Sequence, residues 1–378
     1  MCGCRHKPCL RNTSTTTKLP RPTVARIFPQ NLAHNLARVR ELAPRSKVMA
    51  CVKANGYGHG LVSVAEVLAP QSDALAVATL EEAVALRSAG ITAPILLMEG
   101  VHEPGDWHSA VRHHLTVAVS DTTQLEWLEA APPESAPLCW LKLDTGMHRL
   151  GLPPEMLGQA LARLRASAVN EDALTLMTHF ASADETASSF SLAQLRCFVS
   201  VTQSLGLARS TANSAAILSL PDSHLDWVRP GYMLYGGSPF ADRDAQSCGL
   251  LPAMHFCSTV ISLREVEAGE PVGYGGRWVA PGKSKIATVA AGYGDGYPRH
   301  ARDGTPVIIR GRRAPLAGRV SMDMLTVDVT DLDSVAVGDP VTLWGDALPV
   351  DEIAASCETI GYELLARMPA RVPRQLCP

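Results

Sequence analysis

No apolar run in this sequence approaches the roughly 18 residues that a membrane-spanning helix requires, so a helical membrane protein is excluded. Charge is also scarce. Asp, Glu, Lys and Arg make up 19% of the chain and leave a net charge of −3. That balance provides no electrostatic footprint for nucleic acid or an anionic membrane surface. Residues 1–17 contain basic side chains but lack the apolar centre of a secretory signal. Of ten cysteines, Cys2, Cys4 and Cys9 lie close together, but no ligand cluster follows at zinc-site spacing, so no metal is expected. The others are scattered singly, several in apolar runs, like reduced core thiols, and the cytoplasm is the expected compartment. Internal repeats and low-complexity segments are missing from the part expected to fold.

What is present is hydrophobic mass: 46% of 378 residues. A (β/α)8 barrel takes about 250 residues, which leaves room for a second, smaller domain. Pro20-Arg21-Pro22 closes a tail, residues 1–21, expected to be disordered. Residues 22–30 should form a strand packing with the carboxyl-terminal domain. Strand-like apolar runs then recur at 47–53, 74–79, 94–99, 115–120, 139–143, 175–179, 212–218 and 227–234, the last two the least strand-like. Helical patterns separate them at 31–42, 61–68, 80–88, 122–131, 154–165 and 189–205. This alternation predicts parallel strands with right-handed crossovers, closed as an α/β barrel over 31–249. An open doubly wound sheet is the alternative.

After Gly249 the pattern changes. Segments 257–263, 285–290, 306–310 and 325–329 alternate with period two between turns rich in Gly, Asp and Pro. They predict a mostly β domain over 250–378, interrupted by a helix near 350–360. Arg312 and Arg313 read as a solvated turn.

One stretch stands apart: Val48-Met49-Ala50-Cys51-Val52-Lys53 is a buried-strand run ending in a lysine. Gly56, Gly58 and Gly60 follow, around Tyr57 and His59. Lysine is costly to bury without a partner or a covalent task, and desolvation suits its amine to Schiff-base chemistry. Snorkelling at a strand end is the ordinary alternative. The glycines, which let a backbone approach a ligand closely, favour the chemical reading. In a barrel of this type the active site forms at the carboxyl ends of the strands, and polar residues recur there. Lys142 to Gly151 follows the fifth strand, Thr178-His179-Phe180 the sixth, Ala212-Asn213-Ser214-Ala215 the seventh and Val228-Arg229-Pro230-Gly231-Tyr232 the eighth. Ser214, Gly231 and the Tyr232 amide are small donors suited to a phosphate.

These segments resemble the alanine racemase family, whose lysine motif reads roughly V-V-K-A-N-A-Y-G-H-G. D-T-G-M-x-R-L-G, T-H-F, A-N-S-A and V-R-P-G follow in the family's order, and P-V-G-Y-G, G-Y-G-D-G and G-R-V-S-M-D add to them in the second domain. The resemblance extends from about Pro22 to Leu376. It implies a homodimer with shared sites, acting on a small amino acid with pyridoxal 5'-phosphate held covalently by Lys53. Lys53 and Tyr274, the latter from the partner subunit, would be bases on opposite faces of the substrate. Arg229 would donate to the pyridine nitrogen, supported by His179. Arg149 would contact the cofactor's phenolic oxygen and the substrate carboxylate. Tyr57, Ser214, Gly231, Tyr232 and Tyr362 would surround the phosphate. Met322 would supply a backbone contact to substrate. Tyr293, Arg299, Arg319 and Asp323 would line the access corridor. Lys142 matches a position carbamylated in many members.

Racemisation removes a Cα proton from one face and returns one to the other, so two opposed bases are economical. Lysine and tyrosine titrate near ~10.4 and ~10 when unperturbed, so their surroundings must tune them. A broader racemase acting on serine or lysine, a non-catalytic cofactor-binding barrel and a decarboxylase of the same fold are the competing functions. Tyr362 and Arg319 favour a small substrate, and the second domain disfavours the carrier. Arg229 disfavours the decarboxylase, which uses an acidic residue there.

Overall fold

The computed structural model describes residues 21–130, 137–167, 169 and 173–378. The first strand, β1 (Val24–Ile27), leads into a helix over Pro29–Leu42. Pro29 opens that helix, a position where its missing N–H costs nothing. Eight parallel strands then close into a barrel: β2 (Lys47–Cys51), β3 (Ala74–Val77), β4 (Ile95–Leu97), β5 (Leu115–Val119), β6 (Leu138–Lys142), β7 (Thr175–Met177), β8 (Ala208–Ser210) and β9 (Trp227–Val228). Lys47 pairs with Trp227 to complete the ring. Every residue of β3 and β4 is buried, because inward side chains fill the barrel and outward ones meet helices.

Two of the expected barrel strands need correction. Strand β8 is Ala208–Ser210, whereas residues assigned to a strand over 212–218 form a helix, Ser214–Ser219. The Asn213 side chain caps that helix by accepting from Ala216 N at 3.1 Å, turning an apolar run into helix rather than sheet. Likewise β9 is only Trp227–Val228, and Tyr232–Tyr235 is a 3-10 turn. In both places a short strand hands over early to a turn at the mouth of the barrel, where binding residues belong.

The second domain is an eight-stranded mixed sheet centred on β10 (Met254–Val266), with a separate two-stranded ribbon of β11 (Pro271–Val272) and β12 (Trp278–Val279). The sheet also contains β13 (Ser284–Val289), β14 (Pro306–Ile309), β15 (Arg312–Pro315), β16 (Leu325–Asp328), β17 (Pro340–Trp344) and β18 (Arg374–Leu376). Strand β1 lies between β10 and β18, so the first strand of the chain joins the last domain. Arg312 and Arg313 begin β15 rather than forming a turn, and Arg313 pairs with Glu352. The helix expected over 350–360 ends at Ser356, and a second one spans Gly361–Ala366.

Residues 1–20 of the expected tail lie outside the described residues. Arg21, placed in that tail from sequence, is instead held by Asp295 at 2.7 Å and by Asp323 O at 2.9 Å.

Candidate active site

Strand β2 ends at Cys51, and the chain enters a turn that L-residues rarely adopt. Ala54, Asn55, Gly56 and Tyr57 have φ of 53°, 55°, 61° and 47°. A left-handed conformation costs a non-glycine residue about 1–2 kcal/mol, so surrounding bonds must hold it. Asn55 N donates to Glu82 Oε1 at 3.1 Å and Asn55 Oδ1 accepts from Leu61 N at 2.9 Å. Gly58 N closes back on Ala54 O at 2.9 Å. Over-determined strain of this kind clusters at functional sites. Here it leaves Lys53 at the cavity and turns Tyr57 inward, where its ring stacks on Tyr235 at 4.5 Å.

A cavity of about 300 Å³ at this end of the barrel is lined by Lys53, Tyr57, Arg149, His179, Ser214 and Arg229, and on its far side by Gly231, Tyr232 and Tyr362. Two other cavities contain none of these side chains. One of about 270 Å³ lies between the domains and is lined by Trp344, Leu250 and Tyr235 among others. One of about 440 Å³ lies at the opposite mouth of the barrel.

Arg229 is the buried cation of the site. It donates from Nη1 to Ser210 Oγ at 2.6 Å, and from Nη2 to Thr178 O at 2.6 Å and Thr211 O at 3.3 Å. Its Nε is buried and has no partner among the described residues, so one donor remains for a ligand acceptor. Burial lowers its pKa to about 10, which still leaves it protonated at neutral pH. His179 sits beside it and is held well below the ordinary imidazole range, first by desolvation and then by the charges of Arg229, Lys142, Arg149 and Lys53. Lys142 ends β6 in the barrel interior, and burial together with Arg229, Arg149 and Lys53 lowers it to about 8.

Across the cavity, Ser214 Oγ accepts from Gly231 N at 2.9 Å and Met233 N at 3.3 Å, leaving its own proton free to donate. A Cβ on residue 231 would sit 2.5 Å from the Tyr57 hydroxyl, so only glycine leaves this corner open. The Tyr232 hydroxyl donates to Asp351 Oδ1 at 2.5 Å, and the ring stacks on Tyr362 with centroids 3.8 Å apart.

The second-domain residues lie elsewhere. Tyr274 occupies the turn between β11 and β12, 70% exposed, with Arg319 beside it, and neither lines the cavity of its own chain. Met322 and Tyr293 are 53% and 39% exposed on neighbouring loops joined by Tyr293 N to Ser321 O at 3.0 Å. Asp323 pairs with Arg371 at 2.6 Å, and Arg299 is exposed on the loop after Tyr293.

Sequence reading missed several supporting residues. Gln194, buried on the helix Phe190–Thr202, accepts from Ala181 N at 2.9 Å and donates to His179 O at 3.1 Å, fixing the turn after β7. Asp144 accepts from Gly146 N and His148 N at 2.9 and 3.1 Å and shapes the loop that presents Arg149. Asp351 had no local signal at all. Only its partner across 119 residues reveals it.

A lysine at a strand end, a buried arginine with one free donor and an open glycine corner with a spare hydroxyl fit a phosphorylated pyridine aldehyde. The barrel and this site define a pyridoxal-phosphate-dependent enzyme. Residues 27–239 match the alanine racemase N-terminal domain profile and residues 253–376 the alanine racemase C-terminal domain profile. The chain is 49% identical over 345 residues to alanine racemase of Nitrosococcus oceani, covering 91% of this chain and 96% of that one. The crystal structure of biosynthetic alanine racemase from Pseudomonas aeruginosa superposes with a TM-score of 0.92 at 48% identity, over 95% of this chain and 100% of that one. Alanine racemase from Acinetobacter baumannii superposes with a TM-score of 0.90 at 38% identity, over 94% and 100%. The chain belongs to the alanine racemase family.

Proposed function

We propose that this chain interconverts L-alanine and D-alanine by a two-base mechanism shared between the subunits of a homodimer. The observation that carries it is Lys53 in a strained turn facing the unpartnered donor of Arg229 across one cavity. When bound, the cofactor supplies the electron sink that makes a Cα proton removable. Lys53 moves the proton on one face of the substrate. The partner subunit's Tyr274 moves it on the other, a role supported by the exposure of Tyr274 and its absence from the lining of its own chain's cavity. Arg149 holds the carboxylate, Met322 adds a backbone contact from the partner's loop, and Tyr293, Arg299, Arg319 and Asp323 form the corridor.

Arg229 keeps a permanent charge at the ring nitrogen's position and cannot give its proton away there. With that donor at the ring, the cofactor when bound would be a weaker electron sink, which would favour rapid return of the Cα proton over side reactions. Lys142 becomes carbamylated, since an amine near pKa 8 is partly unprotonated and the surrounding cations favour an anion. Free thiols at seven positions among the described residues support a reducing compartment, the cytoplasm. Supply of D-alanine for peptidoglycan is the role favoured by the biosynthetic name of the Pseudomonas aeruginosa relative. A coupled assay of L-to-D conversion on alanine, serine and lysine tests the reading. Alanine should lead, and Lys53→Ala should abolish turnover; equal rates on lysine and alanine would overturn the substrate assignment.

A further inference from the structure

We propose that Asp351 is a positioning residue for substrate selection: through Tyr232 it fixes the ring of Tyr362, and with that ring the side-chain size the cavity admits. The inference rests on the racemase reading above and deepens it.

Asp351 lies on the helix Val350–Ser356 of the second domain and does not itself line the cavity. Its carboxylate joins the domains. Oδ1 accepts from the Tyr232 hydroxyl at 2.5 Å, and Oδ2 accepts from Ser238 N at 3.0 Å, both partners belonging to the last turns of the barrel. Tyr232 is buried and carries the fixed geometry onward, since its ring stacks on that of Tyr362 at 3.8 Å with an interplanar angle of 18°. Tyr362 lines the cavity and makes no hydrogen bond to the described residues, so on the protein side it is ring packing that places it, beside any contact of its hydroxyl with the phosphate. On its other side Tyr57 is 6.3 Å away and tilted by 50°, a looser contact. Of the two ring contacts the Tyr232 face is the closer, so it is the one through which the protein holds Tyr362 in place.

The local sequence accommodates this arrangement. A Cβ on residue 361 would collide with the Tyr232 hydroxyl and come within 2.5 Å of Asp351 Oδ1, so Gly361 leaves space for the bond. A charge-assisted, two-donor carboxylate holds its partners more firmly than a neutral acceptor does. An apolar wall rejects a substrate bearing one extra hydroxyl by only about a hundredfold, so the rest position of one ring matters to serine against alanine.

The test compares kcat and KM for L-alanine and L-serine in the native holoenzyme, Asp351→Ala and Asp351→Asn. Asp351→Ala should raise the serine-to-alanine ratio of kcat/KM about five- to tenfold, mainly through KM for serine, and its crystal structure should show the Tyr362 ring displaced. Asp351→Asn keeps a neutral acceptor oxygen for Tyr232 but not the one for Ser238 N, and its ratio should fall between those of the native enzyme and Asp351→Ala. A parallel loss on both substrates with Tyr362 in its native place would overturn the proposal. Should Asp351→Ala fail to fold, Tyr232→Phe keeps the stack and removes the bond; an unchanged ratio there would overturn it equally. A native enzyme inactive on both amino acids would instead overturn the racemase reading, and the ring position in the variant crystals would still decide this one.

Discussion

Arg229 Nη2 lies 3.3 Å from His179 Nδ1. With a guanidinium on that side, Nδ1 must present its lone pair, so the imidazole is neutral and its proton sits on Nε2. The pair therefore carries one charge rather than two, and that charge belongs to Arg229.

Replacing this arginine tests its part in reaction fidelity. Arg229→Glu should lower racemisation by about a hundredfold or more, as expected for loss of a preorganised charge, and raise the yield of pyruvate per racemisation event. Pyruvate formation from alanine by the loaded enzyme measures it. No rise in that ratio would count against the proposed role.

The subunit-sharing reading predicts complementation. Tyr274→Phe should leave cofactor loading intact and reduce kcat by about 10² to 10⁴, the usual contribution of a positioned base. Lys53→Ala should be inactive. Random mixed dimers of the two variants place both native residues at one of two sites in half the molecules, so about a quarter of native activity should return. Mixing that restores nothing would rule out a site built from two chains.

Lys142 offers a test by spectroscopy. Native protein in ¹³C-bicarbonate should show a carbamate resonance that Lys142→Ala lacks. The variant should have an alanine KM about tenfold higher, because Arg149 loses an anionic partner. Absence of the resonance in native protein would remove the modification.

Stability should fall on acidification through His59. This residue is fully buried, with Nδ1 2.8 Å from Tyr57 O and Nε2 without a partner among the described residues, and desolvation lowers its pKa to about 4. A folded pKa below the unfolded 6.5 means that the unfolded chain binds the proton more readily. The contribution is then complete above pH ~6.5 and is lost as pH drops toward ~4, amounting to about 3 kcal/mol. Urea unfolding at pH 7 and at 4.5 should show a smaller difference for His59→Gln than for the native protein. An identical difference would exclude His59 as a source.

Much of the barrel could be read along the chain. Strand β3 and its following helix are local patterns, an apolar run and then a helix capped by Thr79, and the burial of every β3 residue fits a strand covered on both faces. Lys53 stood out because an ion at the end of a buried strand contradicts its neighbours. The run at 212–218 misled for a physical reason: alternation in a short apolar segment cannot distinguish strand from buried helix, and a single Asn213 cap decided it.

By itself, then, the sequence determined the alternating elements, the lysine and the order of polar residues at strand ends, because each depends on neighbours a few positions away. Tertiary structure alone decided that β1 lies between β10 and β18 and that Asp351 reaches Tyr232. It also decided that Tyr274 is exposed and does not line its own chain's cavity. Those relations join residues far apart in the chain, where no periodicity or local propensity connects one partner to the other.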